Sequence, residues 1–208
     1  FLILGVNKEL TDSIILAIAN DQNHDLTLIN VPRDLYYNGR KINELYQKYG
    51  INSLKSAIYK ITGLNPIKYA VIDLNPFVEI IDTLGGIEIN VEKNLYDNQY
   101  PNGKGGYTIV SFKKGEQHMD GATALKFARS RETSSDFDRS KRQQLVIAAV
   151  KNKILDLNFL NNLGTGMKTF ETISQQIMTD ISPIDALSYL KKYSEYNVKS
   201  GNILSTQN

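Results

Sequence analysis

The sequence predicts an α/β fold, and three observations predict it. The first 31 residues carry three short β-branched apolar runs; strand and helix patterns then alternate along the chain; and glycine, proline and capping residues punctuate the changes between them. At 208 residues with 41% hydrophobic content, the chain can bury an ordinary core, and one compact domain spanning 1–208 is expected.

Phe1 to Val6, Ser13 to Ala19 and Leu26 to Val31 read as strands, each bounded by Asn or Asp. A turn at Pro32-Arg33-Asp34 follows. Helical patterns occupy Ile42 to Tyr49 and Ser53 to Ile61, ended by Gly50 and Gly63. Lys68 to Asp73 returns to strand. Asn75-Pro76 is a helix start that Gly85-Gly86 closes, and Ile87 to Val91 alternates as a strand should. Tyr96 to Gly106, rich in Asn, Gly and Pro, reads as an exposed loop before the strand Tyr107 to Phe112. Asp120 to Ala128 is a predicted helix. Ser134-Ser135-Asp136 opens a longer one reaching about Leu157, with a polar start and an apolar later face. Helices over Phe170 to Met178 and Pro183 to Tyr193 complete the chain, the last capped by Ser182.

A formal charge of +2, from 24 basic and 22 acidic residues, is too balanced to point to wholesale binding to nucleic acid or to an anionic membrane, so any anion recognition must be local. The absence of cysteine removes thiol nucleophiles, thiolate zinc sites and disulfides. The chain opens on Phe-Leu-Ile-Leu-Gly-Val, inside a strand pattern, and a preceding anchor or signal segment is expected.

Arginine is scarce and unevenly placed. Of Arg33, Arg40, Arg129, Arg131, Arg139 and Arg142, four fall within 14 residues, where an even spread would put fewer than one. Guanidinium offers a rigid fork of donors matched to phosphate oxygens. Arg129 and Arg131 are two apart, so an extended segment would point them the same way. Asp136, Arg139 and Gln143 share one face of the long helix, whose N-terminus adds free N–H donors. A pyrophosphate suits this arrangement. The competing reading is a solvated ion-pair network with Glu132, Asp136 and Asp138, but three acids face four arginines.

Weaker signals carry less. Gly103-Lys104-Gly105-Gly106 lacks the spacing of a phosphate loop, and no Gly-x-Ser-x-Gly elbow is present. His24 and His118 lack a pattern of neighbouring zinc ligands. Core packing explains most of the 12 tyrosines, while Tyr36, Tyr37 and Tyr46 are candidates for acceptor binding.

Ala124-Leu125-Lys126-Phe127-Ala128-Arg129-Ser130-Arg131, followed by Ser135-Asp136-Phe137-Asp138-Arg139-Ser140-Lys141-Arg142-Gln143-Gln144, resembles the signature of the LytR-CpsA-Psr family of bacterial cell-wall proteins. Leu4-Gly5-Val6, Thr11-Asp12-Ser13, Val31-Pro32-Arg33-Asp34, Lys41-Ile42-Asn43 and Leu84 to Val91 match in order, so the resemblance covers most of residues 1 to 150. It implies a central mixed sheet flanked by helices on both faces, an α-β-α sandwich. It also implies transfer of a glycopolymer, such as a teichoic acid or capsular polysaccharide, from a polyprenyl-pyrophosphate carrier to a peptidoglycan hydroxyl. The lipid would lie in an apolar pocket. The place of work would be the extracellular face of the cytoplasmic membrane, reached through an N-terminal anchor.

By the same resemblance, Arg129, Arg131, Arg139 and Gln143 contact the pyrophosphate, with Arg33 approaching from the sheet side and Asp136 orienting the arginines. Arg142, Lys41 and Asn43 are further substrate contacts. Asp12 would support Mg²⁺ and help activate the incoming hydroxyl. The sequence departs from the family where Asp is usual and Asn7 stands, and where Arg is usual and Leu10 stands. Asn7 can offer a metal its carbonyl oxygen but cannot act as a base. The alternatives are a weakly catalytic binding protein for the same lipid or polymer, and a lipid pyrophosphatase.

Overall fold

In the computed structural model, residues 1–8, 10–131, 135–157 and 163–201 are described. Glu132 and Ser134, named above, lie outside them. The order of elements is β1 (Leu2–Asn7), β2 (Leu10–Asn20), β3 (Asp25–Asn30), β4 (Tyr36–Tyr37), β5 (Arg40–Lys41), α1 (Leu45–Thr62), β6 (Tyr69–Asp73) and α2 (Leu74–Thr83). Then come β7 (Ile87–Val91), β8 (Leu95–Pro101), β9 (Tyr107–Phe112), β10 (Gly115–Met119), α3 (Gly121–Arg129), α4 (Asp136–Asp156), α5 (Leu163–Ser174), β11 (Met178–Thr179), α6 (Pro183–Tyr193) and β12 (Asn197–Ser200). The architecture is mixed α/β. Among the described residues no helix is long and apolar enough to cross a membrane.

The chain divides into two compact units, Phe1–Pro76 with Leu160–Asn208, and Phe77–Phe159. The first holds a six-stranded sheet in the order β11-β6-β1-β2-β3-β12, parallel at β1/β6 and β3/β12 and antiparallel elsewhere. Alternation along β1 buries Leu2, Leu4 and Val6 on the face that packs with Leu54, Ala57 and Ile58 of α1. The two helical patterns at 42–61 become a short 3-10 turn, Ile42–Glu44, and α1, which breaks at Gly50 (φ 77°, ψ 177°). That conformation admits glycine readily and a side chain poorly. Gly63, at φ 71°, ends α1 as expected.

In the second unit β7 pairs antiparallel with β10, and β8 with β9. Ile87, Ile89 and Val91 of β7 point inward onto Phe112, Met119, Phe127 and Val146. Ser135 caps α4 through a reciprocal box with Asp138, and Asp120 caps α3 by accepting from the Thr123 N–H at 2.8 Å.

Several elements differ from expectation. Leu95–Pro101 is a strand, so the predicted loop at 96–106 shrinks to its end. There the Asn102 side chain accepts from the N–H groups of Lys104 (2.8 Å) and Gly106 (3.1 Å) and builds the turn. Helix α5 ends at Ser174, before the predicted limit, because Met178–Thr179 joins the sheet edge beside β6. Tyr36–Lys41 is a hairpin whose turn residues Asn38 (φ 49°) and Gly39 (φ 76°) both have positive φ. This Asn-Gly pair is the strongest short-range hairpin signal, and it stands openly in the sequence.

Candidate functional site

The expected site residues fall into two groups, one in each unit. In the first unit the register of β1 against β2 shifts between Gly5 and Val6: Gly5 pairs with Ser13 and Val6 with Thr11. Asp12 is therefore the extra residue of a β-bulge, a device that re-aims a side chain. Gly5 permits this crossing, since a Cβ there would lie 2.5 Å from Ser13 Oγ.

Arg33 reaches Asp12 from the segment after β3. Its Nη1 donates to Asp12 Oδ1 at 2.6 Å, and its Nε lies 3.6 Å from Asp34 Oδ2. Lys41 Nζ donates to Asp34 Oδ1 at 2.7 Å. Asp12, Arg33, Asp34 and Lys41 thus form a row of alternating charge. The Lys41 hydrogen bond, helped by the Arg33 charge, holds the Asp34 carboxyl below its usual range, and Asp34 in turn raises the Lys41 ammonium. The hairpin closes this row, with the Ile42 N–H on the Leu35 carbonyl (2.8 Å) and the Asn43 N–H on the Arg33 carbonyl (3.1 Å).

Among the described residues, the buried Thr11 Oγ1 and Asn43 Oδ1 of this region have no hydrogen-bond partner, and the Arg33 Nε contact with Asp34 is too long to be one. Orphaned buried polar groups are unusual and mark places where a ligand or water is held. The Asp12 carboxylate is the charged oxygen donor of this region, and the Thr11 hydroxyl and Asn43 amide supply its orphaned oxygens. Among the described residues no group of three or more His, Cys, Asp or Glu could hold a metal. A Mg²⁺ ion here would find one carboxylate, that of Asp12, which also accepts from Arg33, and would take phosphate oxygens and water for the rest of its shell.

In the second unit Arg129 is the last residue of α3, and Ser130 then turns extended (φ −56°, ψ 144°). The expectation that Arg129 and Arg131 share one face of an extended segment is corrected, because α3 runs through Arg129 and the chain turns extended only at Ser130. Arg129 hydrogen-bonds the Tyr100 hydroxyl, which burial pushes up in pKa and this arginine draws back. Arg131 is exposed, and its N–H donates to Asp97 Oδ2 at 2.8 Å. Asp97 is buried in β8 beside a register shift, and its other oxygen accepts from Gln99 N–H at 3.0 Å. Asp97 falls in the stretch whose composition predicts a loop, so no periodic signal marks it in the sequence.

Arg139 Nη1 lies 2.8 Å from Asp136 Oδ1, so the predicted i, i+3 pair on the first turn of α4 is present. Gln143, one turn further, is half-buried. Arg142 is placed differently from the expectation of a substrate contact: it is 6% exposed, its Nε donates to the Phe127 carbonyl at 2.9 Å, and its Nη2 donates to the Ser130 carbonyl. It caps the end of α3 and braces α3 against α4. Lys93 holds Asp138 at 2.8 Å and Lys141 holds Glu92 at 2.7 Å, tying the end of β7 to α4. His118 faces Glu88 across the β7/β10 ladder at 2.6 Å, and His24 packs edge-on to Tyr196.

The model of the LytR_cpsA_psr family matches residues 2–207. Regulatory protein MsrR of Staphylococcus aureus is 34% identical over 168 residues, which cover 74% of this chain and 49% of that protein. Polyisoprenyl-teichoic acid--peptidoglycan teichoic acid transferase TagV of Bacillus subtilis is 26% identical over 213 residues, 95% of this chain and 52% of that protein. The chain spans about half the length of these curated relatives. Among solved structures, Lin1025 of Listeria innocua superposes with a TM-score of 0.75 at 29% identity, over 97% of this chain and 81% of that one. The crystal structure of B. subtilis TagV, at 24% identity and a TM-score of 0.77, shares the fold over 99% of this chain and 84% of that one.

Proposed function

The chain belongs to the LytR-CpsA-Psr family, and from that premise we propose that it is a phosphotransferase. It attaches a glycopolymer, of teichoic acid or capsular polysaccharide type, from a polyprenyl-pyrophosphate carrier to peptidoglycan. It works in the cell wall, on the outer face of the cytoplasmic membrane. The observation that carries this reading is the arginine set of the second unit, where Arg131 is exposed on a backbone pinned by Asp97 and Arg139 is held by Asp136 at the start of α4.

In the reaction a sugar hydroxyl of peptidoglycan attacks the phosphorus that bears the glycan. An oxygen–phosphorus bond forms, the bridging P–O bond of the pyrophosphate breaks, and polyprenyl phosphate leaves. Such transfers are governed by positioning and charge neutralisation. Arg129, Arg131, Arg139 and Gln143 bind the pyrophosphate oxygens, and Asp136 positions Arg139. The family resemblance gives Asp12, which Arg33 holds within the first unit, the part of helping to activate the hydroxyl by accepting its proton. Lys41 and Asn43 support Arg33 through Asp34 and through the backbone. Mg²⁺, bound through Asp12 and Asn7, would neutralise phosphate charge.

The test is transfer from a polyprenyl-pyrophosphate-linked polymer to peptidoglycan in the presence of Mg²⁺. Arg131→Ala should lose about a hundredfold or more, as removal of a group binding developing charge does. Equal transfer by wild type and Arg131→Ala would sink the assignment. Asn7 favours a second reading, a protein that binds the lipid carrier and turns it over weakly. Asn7→Asp separates the two: a large gain in transfer points to weak turnover in the native chain, and no gain leaves Asp12 sufficient.

A further inference from the structure

The hairpin β4–β5 has two sides, and only one of them meets the charged row. Tyr36 pairs with Lys41 and Tyr37 with Arg40, and paired residues share a face of a hairpin. Lys41 turns to Asp34. Tyr37 and Arg40 instead line a cleft of about 480 Å³ against α1, within the first unit.

Its lining is layered by chemistry. Leu45 and Ala57, both buried, make an apolar floor, while Asn38, Asn52 and Ser56 are exposed around it. Tyr49 is 50% exposed, although an aromatic ring gains from burial. The Arg40 guanidinium carbon stands 5.5 Å from that ring's centroid. Guanidinium stacked on a ring keeps its edge donors free of the ring and directed to anions. Two features hold the cleft in shape: the hairpin turn at Asn38 and Gly39, and the break at Gly50, directly after Tyr49.

An aromatic ring with amides and hydroxyls about it is complementary to a pyranose, which has an apolar C–H face and an equatorial rim of hydroxyls. An arginine in the same cleft adds selection for a negative substituent. From this we infer that the cleft between β4–β5 and α1 binds an anionic sugar unit, with Tyr49 stacking on its ring, Arg40 pairing with its carboxylate or phosphate, and Asn38, Asn52 and Ser56 reading its hydroxyls. Arg40 adjoins Lys41 in the chain, so one hairpin carries the cleft on one side and the Lys41 end of the charged row on the other.

As a subsite for a glycan, the inference rests on the transfer reading above, but it is tested by binding alone. The intact chain is titrated by calorimetry with N-acetylglucosaminyl-N-acetylmuramic acid, with N-acetylglucosamine 1-phosphate and with uncharged chitobiose. Both anionic sugars should bind at least tenfold more tightly than chitobiose. The muramic acid compound binding better assigns the cleft to the acceptor, and the phosphate binding better assigns it to the polymer. Arg40→Gln should erase the preference for the anion, a loss of about tenfold for one charge-assisted contact. Tyr49→Ala should weaken all three ligands alike. Unchanged binding in both variants, or equal affinity of wild type for chitobiose and the anionic sugars, overturns the assignment. Transfer by the wild type, measured separately, keeps the two claims apart: selective sugar binding without transfer would sink the catalytic reading alone.

Discussion

Asp97 Oδ2 accepts a 2.8 Å hydrogen bond from the backbone N–H of Arg131, while the aspartate itself is only 2% exposed. A buried carboxylate in the second unit therefore sets the path of the chain where the most exposed candidate phosphate contact begins. Asp97→Ala should destabilise the fold by about 2–3 kcal/mol, the range for losing hydrogen bonds to a charged group. It should also reduce transfer more than tenfold. Asp97→Asn, which keeps one acceptor and sets an NH2 against the other N–H, should recover only part of both. Thermal unfolding and transfer rates of the two variants check this, and an alanine variant of full activity would remove Asp97 from any part in positioning.

Arg142 should matter for stability and only indirectly for ligand. Its guanidinium satisfies the carbonyls of Phe127 and Ser130 inside the second unit. Arg142→Ala leaves both carbonyls unsatisfied and a gap where the side chain packed, so urea denaturation should report a loss of about 2–4 kcal/mol. Arg142→Lys should recover part of it, because an ammonium lacks the planar fork that serves two acceptors. A pyrophosphate affinity that collapses in Arg142→Lys without loss of stability would instead place this residue among the direct contacts.

Gly121 begins α3 against α2, and a Cβ there would sit 2.2 Å from the carbonyl oxygen of Val78. Its N–H also donates to Asp82 Oδ1 at 2.7 Å. No rotamer relieves a clash with backbone, so Gly121→Ala should cost about 3 kcal/mol, as overpacked interiors do. Circular dichroism melts will show whether the melting temperature falls by several degrees.

The helix caps predict a pH dependence. Hydrogen bonds from Lys93 and from Ser135 hold the Asp138 carboxyl below its ordinary range, and those of Thr123 do the same for Asp120. A carboxylate depressed in the folded state adds stability at pH values above its unfolded pKa. That contribution is lost as pH falls through the lower folded value. The stability gap between wild type and Asp138→Asn should stay constant above about pH 5 and close progressively below about pH 4. A gap that widens on acidification would reverse the sign and refute the cap assignment.

What the sequence determined by itself was whatever depends on a residue and its near neighbours. Alternation in Ile87–Val91 gave the buried face of β7, Ser135 and Ser182 marked helix starts, Gly50 and Gly63 marked the break and the end of α1, and the i, i+3 spacing paired Asp136 with Arg139. The Asn38-Gly39 turn belongs with these local signals too, and its hairpin was there to be read. Tertiary structure decided the rest. Arg139 and Arg142 are the same residue type one helical turn apart, yet one turns to the exposed Asp136 of its own helix and the other to the carbonyls that end α3. Only the packing of a second helix separates them. β12 finds β3 across about 170 residues, and Asp97 meets Arg131 across 34. Such pairings leave no period in the chain, because their free energy comes from burial and from satisfied hydrogen bonds that arise only once distant segments are brought together.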